Sequence, residues 1–133
     1  MELKQYFENT TGLGILATAD ADGNVDIAIY SRPHVADDGT VMLIMGDRLS
    51  HSNLQSNPKA AFLFREDVPG YRGMRLYLEK ISEEKNSPLI DQLRSKKHGK
   101  EDEGGLKDRF LVHFKVTGMR PMTGDAGKGP VGS

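Results

Sequence analysis

The most constraining feature of the sequence is a pair of Asp-Gly turns set between short apolar segments. The turn at 22–23 separates residues 15–19 from residues 25–32, and the turn at 38–39 precedes the apolar run 41–45. Asp-Gly is typical of tight β-hairpin turns, because glycine accepts a positive φ without a steric penalty. The first half of the chain is therefore predicted to form antiparallel strands.

The rest of the chain continues this pattern of short strands and adds helices. Residues 60–65, 74–81 and 109–117 are predicted to be strands, with Met74, Leu76 and Leu78 on one face. Three short helices are predicted over 3–7, 50–56 and 88–95, the second capped by Ser50 and the third by Ser87. A mainly β fold follows: a six-stranded antiparallel barrel with short helices.

Composition limits the domain organisation and the compartment. We predict one domain over residues 1–123, a Gly-rich flexible tail over 124–133 and a mobile charged loop over 96–105. No apolar run is long enough to cross a membrane and the first residues have no signal-peptide core, so a cytoplasmic protein is expected. The carboxylates at 83–84 and 102–103 are predicted to be solvated surface.

Several kinds of chemistry are excluded by composition. The chain has no cysteine, which excludes disulfides, thiolate chemistry and metal–thiolate sites. The net charge is -1 with acids and bases mixed, so no nucleic-acid partner is expected. The four histidines lack metal-ligand spacing, and no metal site is predicted. For His113, on the last strand, a structural role is the favoured interpretation.

The strand–loop–helix over residues 41–58 carries the strongest functional signal. A strand ends at Gly46, Arg48 follows, and a helix begins near Ser50. The first turn of a helix has free N–H groups and the positive end of the helix dipole, so it suits a phosphate. Arg48 adds a charge-assisted donor. The alternative from the residues alone is that Ser50 simply caps its helix and nothing binds.

Three features, taken in order along the chain, resemble a known family. The run DIAIYSRP at 26–33, the turn at 38–39 and the pattern Ser50-x-x-Asn53-Leu54-x-x-Asn57-Pro58 are similar to pyridoxamine 5′-phosphate oxidase-related FMN-binding split-barrel proteins. The resemblance covers about residues 14–66 and continues loosely into the strand at 110–116. It implies a homodimer with FMN held at the subunit interface.

The resemblance also implies which residues hold the cofactor. The strand at 28–33 is expected to hold the flavin ring through backbone groups, and the loop and helix start at 48–53 to hold the phosphate. The expected FMN contacts are Ala28, Ile29, Tyr30, Ser31, Arg32, Pro33, Met45, Arg48, Ser50, His51 and Asn53. Two departures, Leu49-Ser50 in place of a basic pair and a shorter C-terminal part, argue against the vitamin B6 reaction itself.

The function expected from this resemblance is an FMN-dependent oxidoreductase that moves electrons or hydride to or from a small substrate. The candidate positive charges near the flavin pyrimidine are Arg32, Arg72 and Arg75. NAD(P)H is one candidate electron donor. No catalytic residue is assigned, because the cofactor itself carries out the chemistry. Two alternatives stay open. One is a non-catalytic flavin or heme carrier, with His34, His51 and His98 as candidate heme ligands. The other is a barrel that only mediates protein association.

Overall fold

The computed structural model describes residues 2–97 and 108–124. Within these residues the chain forms three helices and seven strands. The helices are α1 (Leu3–Glu8), α2 (Leu49–Ser56) and α3 (Pro88–Lys97). The strands are β1 (Gly12–Ala19), β2 (Val25–Tyr30), β3 (His34–Val35), β4 (Val41–Gly46), β5 (Lys59–Glu66), β6 (Gly73–Lys85) and β7 (Arg109–Pro121).

All described strands belong to one antiparallel sheet. Their order is β2-β1-β5-β6-β7-β4-β3, so β2 and β3 are the two edges although only residues 31–33 separate them in sequence. A sheet whose two edges lie so close along the chain must curl back toward itself. The result is a barrel that is split between β2 and β3, which confirms the mainly β barrel predicted from the sequence.

The core lies on the concave face of this sheet. Alternate residues of five strands form one buried cluster with α1 and α2, including Leu16 of β1, Phe62 of β5, Leu76 of β6, Val112 of β7 and Leu43 of β4. Because strands at both ends of the sheet supply this one cluster, the sheet wraps around it. Met74, Leu76 and Leu78 share the buried face, as predicted.

Helix α3 covers part of the convex face. It packs through Ile90 on Met42 of β4 and Leu111 of β7, which form a second buried cluster. The predicted cap of this helix is confirmed, since the Ser87 hydroxyl accepts a hydrogen bond from the Leu89 amide at 3.1 Å.

The other part of the convex face is apolar and uncovered in the single chain. On β2, Val25, Ile27 and Ile29 are 79%, 68% and 71% exposed. Ile29 pairs across the strands with Ile15 of β1, which in turn pairs with Leu63 of β5. We call Ile15, Val25, Ile27, Ile29 and Leu63 the apolar outer face. Contiguous apolar patches of this kind usually mark an interaction surface.

Both Asp-Gly turns form as predicted. Gly23 and Gly39 have φ values of 87° and 90°, which L-residues rarely adopt. Asp20 stabilises the first turn by accepting hydrogen bonds from the amides of Asp22 and Asn24, each at 2.9 Å.

The structure differs from the sequence prediction in the strand count and at several strand ends. The strand count is seven rather than six, because β3 has only two residues and cannot show an alternating pattern. The second strand ends at Tyr30, two residues earlier than predicted. Strands β6 and β7 run to Lys85 and Pro121, because their antiparallel pairing continues past the apolar residues. Most of the predicted loop at 96–105 and of the tail from 124 lies outside the described residues.

Gly14 tests the packing beneath β2. A Cβ atom at this position would lie 2.4 Å from Phe62 Cζ and 2.8 Å from the Tyr30 carbonyl oxygen. Gly14→Ala is therefore expected to lower the free energy of unfolding by about 2 kcal/mol, the usual scale of an overpacked core. Urea unfolding measures this change.

Gly46→Ala is the matched control, because its added Cβ would have no neighbour closer than 3.9 Å. We expect it to change the free energy of unfolding by less than about 0.5 kcal/mol. Equal effects of the two substitutions would contradict the packing described here.

Candidate functional site

The candidate site is the corner where β4 gives way to α2. The strand ends at Gly46, and Arg48 takes an extended conformation (φ −128°, ψ −165°) at the N-cap of a helix that begins at Leu49. Within the described residues no side chain caps this helix. The first-turn N–H groups, which have no helical carbonyl to bond, are thus left for another acceptor.

The prediction that Ser50 caps α2 is wrong. The helix begins one residue before Ser50, which lies inside the first turn and is only 4% exposed. Its hydroxyl interacts with the Tyr30 hydroxyl of β2. Burial raises the pKa of Tyr30 above its usual value, and nearby Asp26 raises it further. The interaction with Ser50 and the charge of Arg48 lower it, but each by less than burial raises it. Tyr30, Arg48 and Ser50 therefore do come together, at the junction of β2 and α2.

Asn53 is also turned into the protein. It is 5% exposed and donates a hydrogen bond from Nδ2 to the Thr18 hydroxyl of β1 at 3.0 Å. Thr18 is itself buried and pairs across the strands with Asp26. This bond anchors α2 on β1. The expected contact of Asn53 with a phosphate is untested, but its side-chain amide already has a partner.

Strand β2 supplies the second wall of the site. It pairs only with β1 among the described strands, so the backbone N–H and C=O groups on its other edge have no strand partner. Tyr30 lies opposite buried Gly14 and points toward the core, with Ala28 on the same face, whereas Ile29 points outward. An edge of this kind can bond a planar heterocycle through its backbone.

Other predicted contacts have different surroundings. Arg32 donates from Nη1 to the carbonyl oxygens of Phe7 and Thr10, both at 2.8 Å, and so holds the end of α1. Met45 is 2% exposed in the core. Ser31 is exposed and Pro33 is buried, between the two edge strands.

His51 is surrounded by its own protein. Its Nδ1 lies 3.3 Å from Asp47 Oδ1, and its Nε2 lies 3.1 Å from both carboxylate oxygens of Glu83 on β6. The ring stacks on Phe110 of β7, with centroids 3.7 Å apart and an angle of 15°. Lys80 completes the group by an ion pair of 2.8 Å with Glu83.

The sequence did not indicate the role of Glu83 beside His51, since residues 83–84 were predicted to be solvated surface. Burial alone would raise the pKa of Glu83, but hydrogen bonds from Lys80, Gln55 and His51 outweigh it and lower the pKa to about 2. The register of β6 against β7 shifts between Lys80 and Ser82, which changes the face that the following residues occupy. A register shift of this kind has no sequence signature that would have revealed Glu83.

The candidate cations near the flavin pyrimidine have partners in the single chain. Arg75 donates to the carbonyl oxygen of Pro121 at 2.9 Å and to that of Gly124. Arg72 lies 3.7 Å from Glu66, with its side chain 71% exposed. Arg72 therefore keeps the greater freedom to reach a neighbouring molecule.

The other described histidines also have partners. His113 Nε2 lies 2.7 Å from Glu84, in agreement with a structural role, and His34 of β3 interacts with another group of the protein. His98 lies outside the described residues. Among the described residues no cluster of three potential metal ligands exists, and no helix is long and apolar enough to span a membrane.

A groove of about 530 Å³ lies away from this corner. It is lined by the start of α1, the β3–β4 turn and part of β7, with Lys4, Thr40 and Lys115 among its residues. Thr40 and Gly46 flank opposite ends of β4, so the groove and the α2 corner are separate features. Its walls mix both signs of charge and do not select one ligand.

Comparison with known proteins identifies the fold. No family model and no curated protein sequence matches the chain. Among solved structures, an FMN-binding protein from Syntrophomonas wolfei subsp. wolfei is similar, with a TM-score of 0.71 and 20% identity over 92% of this chain and 84% of that one. A provisionally assigned pyridoxamine 5′-phosphate oxidase from Lactobacillus delbrueckii gives 0.63 and 15% over 90% and 91%.

A third similar structure is that of a protein with a different ligand. HutZ, the heme storage protein from Vibrio cholerae, superposes with a TM-score of 0.59 and 18% identity, over 90% of this chain and 92% of that one. The chain thus has the split-barrel fold of pyridoxamine 5′-phosphate oxidase-like proteins, which confirms the resemblance at the level of the fold. Proteins of this fold include FMN binders and a heme storage protein.

Substitution of Arg32 distinguishes a structural role of this residue from a role in cofactor binding. Because its guanidinium bonds two carbonyl groups at the end of α1, Arg32→Met is expected to lower the free energy of unfolding by about 2 kcal/mol. Arg65→Met is the control, since Arg65 is exposed and bonds one carbonyl at 3.3 Å. Urea unfolding of both variants measures the difference. Unchanged stability of Arg32→Met together with loss of FMN binding would place Arg32 at the cofactor instead.

Proposed function

We propose that this protein is an FMN-binding flavoprotein that acts as a homodimer and transfers electrons or hydride to or from a small substrate. The observation that carries the proposal is the uncapped start of α2, with exposed Arg48, beside the open edge of β2. One of these features suits a phosphate and the other suits a flavin ring. They adjoin each other in the fold, since α2 contacts β2.

The phosphate end of the site is formed by backbone rather than by hydroxyl groups. Because Ser50 and Asn53 have partners inside the protein, a phosphate at this corner would be bound by first-turn N–H groups of α2 and by Arg48. Backbone N–H groups at a helix start favour an anion through direct hydrogen bonds and through the helix dipole. Arg48 would replace the basic pair that the resemblance leads one to expect.

The ring end of the site is formed by β2. Its unpaired backbone groups alternate in donor and acceptor character, which matches the donors and acceptors of a flavin pyrimidine. Bound FMN would supply the hydride and electron chemistry, and this chain would supply position, exclusion of water and local charge. The electron donor stays a proposal. Oxidation of NADH or NADPH by the FMN-loaded protein would distinguish an enzyme from a protein that only binds the cofactor.

Dimerisation is proposed from the apolar outer face. Three β-branched residues on an edge strand, each more than two thirds exposed, are an aggregation hazard unless another surface covers them. Helix α3 covers only the β4–β7 part of the convex face. A second copy is the natural occupant, because a two-fold contact would bury the same residues of both copies. It would also close over the β2 edge, where the flavin ring is proposed to lie.

Heme is the second candidate ligand, favoured by the structural similarity to HutZ. Two of the described histidines argue against it as axial ligands, since His51 has a carboxylate at each ring nitrogen and His113 is bound to Glu84. The absorption spectrum of the purified protein decides between the two. Flavin gives two broad bands in the visible and near ultraviolet, whereas heme gives a sharp Soret band.

Arg48 gives the direct test of the phosphate contact. Arg48→Ala is expected to weaken FMN binding about tenfold or more, because one hydrogen bond to a charged group is lost. Arg94→Ala on α3 is the matched control and should leave the affinity unchanged. Quenching of flavin fluorescence measures both dissociation constants. Equal affinities in the two variants would remove Arg48 from the site.

Ile27 gives the test of the dimer. A carboxylate at this position would be buried unpaired in the proposed interface, so Ile27→Glu is expected to produce monomers and to release FMN. Val68→Glu, in the β5–β6 turn, is the control and should stay dimeric. Sedimentation velocity measures the mass, and circular dichroism checks that the variants fold. A dimeric, FMN-binding Ile27→Glu protein would contradict the proposed interface.

A further inference from the structure

The group around His51 joins the candidate site to the rest of the sheet. Asp47 belongs to the loop before α2, His51 belongs to the first turn of α2, and Glu83 lies on β6. The side chain of His51 is 10% exposed and that of Glu83 is 24% exposed. A contact that reaches from the loop through the helix start to a strand can fix the position of the corner.

The geometry determines which form of His51 makes both contacts. Each ring nitrogen faces a carboxylate oxygen, and an ionised carboxylate can only accept a hydrogen bond. A neutral imidazole has one N–H group, so it can donate to only one of the two carboxylates. Both contacts are hydrogen bonds only in the imidazolium form, which donates from both nitrogens.

We propose that His51 is the positioning residue of the α2 corner and acts as an imidazolium that ties Asp47 of the loop to Glu83 of β6. The stack on Phe110 fixes the plane of the ring, so the two donors point in set directions. With the ring held, Gly46 to Arg48 keep the conformation that leaves the first-turn amides and Arg48 available. This inference rests on the proposed function for the identity of the ligand, but the fixing of the corner is a property of the protein alone.

The other groups that face this ring set the charge balance. Glu83 Oε1 also accepts hydrogen bonds from Lys80 at 2.8 Å and from Gln55 at 3.1 Å. Lys80 thus neutralises part of the negative charge of Glu83, and Phe110 of β7 adds none. When the ring loses a proton, one of its two carboxylate contacts loses its hydrogen bond. The corner should then open more often as the pH rises.

Amide hydrogen exchange in the protein without FMN tests this proposal. The Arg48 amide bonds the Gly46 carbonyl, and the Ser52 amide bonds the Arg48 carbonyl, so both amides report on the corner. We expect their protection factors to be about tenfold lower at about pH 8.5 than at about pH 5.5, because the neutral ring can donate to only one of the two carboxylates. His51→Gln should remove this pH dependence.

Glu83→Gln and Glu84→Gln form a matched pair, because each removes one carboxylate of β6 that contacts a histidine. Only Glu83→Gln is expected to lower the protection of the corner and to weaken FMN binding, each about tenfold. Equal effects of the two substitutions, or protection factors of the wild-type protein that do not depend on pH, would overturn the proposal. If Glu83→Gln does not fold, the wild-type pH profile and His51→Gln decide. If wild type binds no FMN, the proposed function fails while the exchange data still decide the role of His51.

Discussion

The constraint on which the rest of the structure depends is the split between the two edge strands, β2 and β3. Closing the barrel there would pair the free backbone edge of β2. Instead three residues, 31–33, connect the two edges, and α2 lies against β1, β2 and β4. An open strand edge and an uncapped helix start therefore lie next to each other, and these are the two features on which the proposed binding of a phosphorylated flavin depends.

The side chains on the buried side of α2 hold this corner in place, although the first-turn N–H groups of the helix have no helical carbonyl to bond. Ser50, His51 and Asn53 all point inward, where they bond Tyr30, the carboxylates of Asp47 and Glu83, and Thr18. These contacts use the polar side chains that a sequence comparison would assign to the phosphate. In the proposed site, a phosphate would be bound by the backbone and by Arg48, without reorganisation of these buried groups.

The sequence predicts the fold better than the site, for physical reasons that particular residues make plain. Asp-Gly turns and alternating apolar residues are local signals, so six of the seven strands and all three helices were predicted. The face of β2 is not a local property: Val25, Ile27 and Ile29 point away from the core because β1 sets their register. Glu83 was missed because a register shift in β6 decides its direction, and Ser50 was mistaken for a cap because the helix begins one residue earlier.

The measurement that tests the central claim most directly is a comparison of FMN with riboflavin, which differ only in the phosphate. Titration of the purified protein, followed by flavin fluorescence, gives both dissociation constants under the same conditions. If the start of α2 and Arg48 bind the phosphate, FMN should bind at least about tenfold more tightly than riboflavin, the change expected from hydrogen bonds to a charged group. Equal affinity for the two flavins, or no binding of either, would contradict the account.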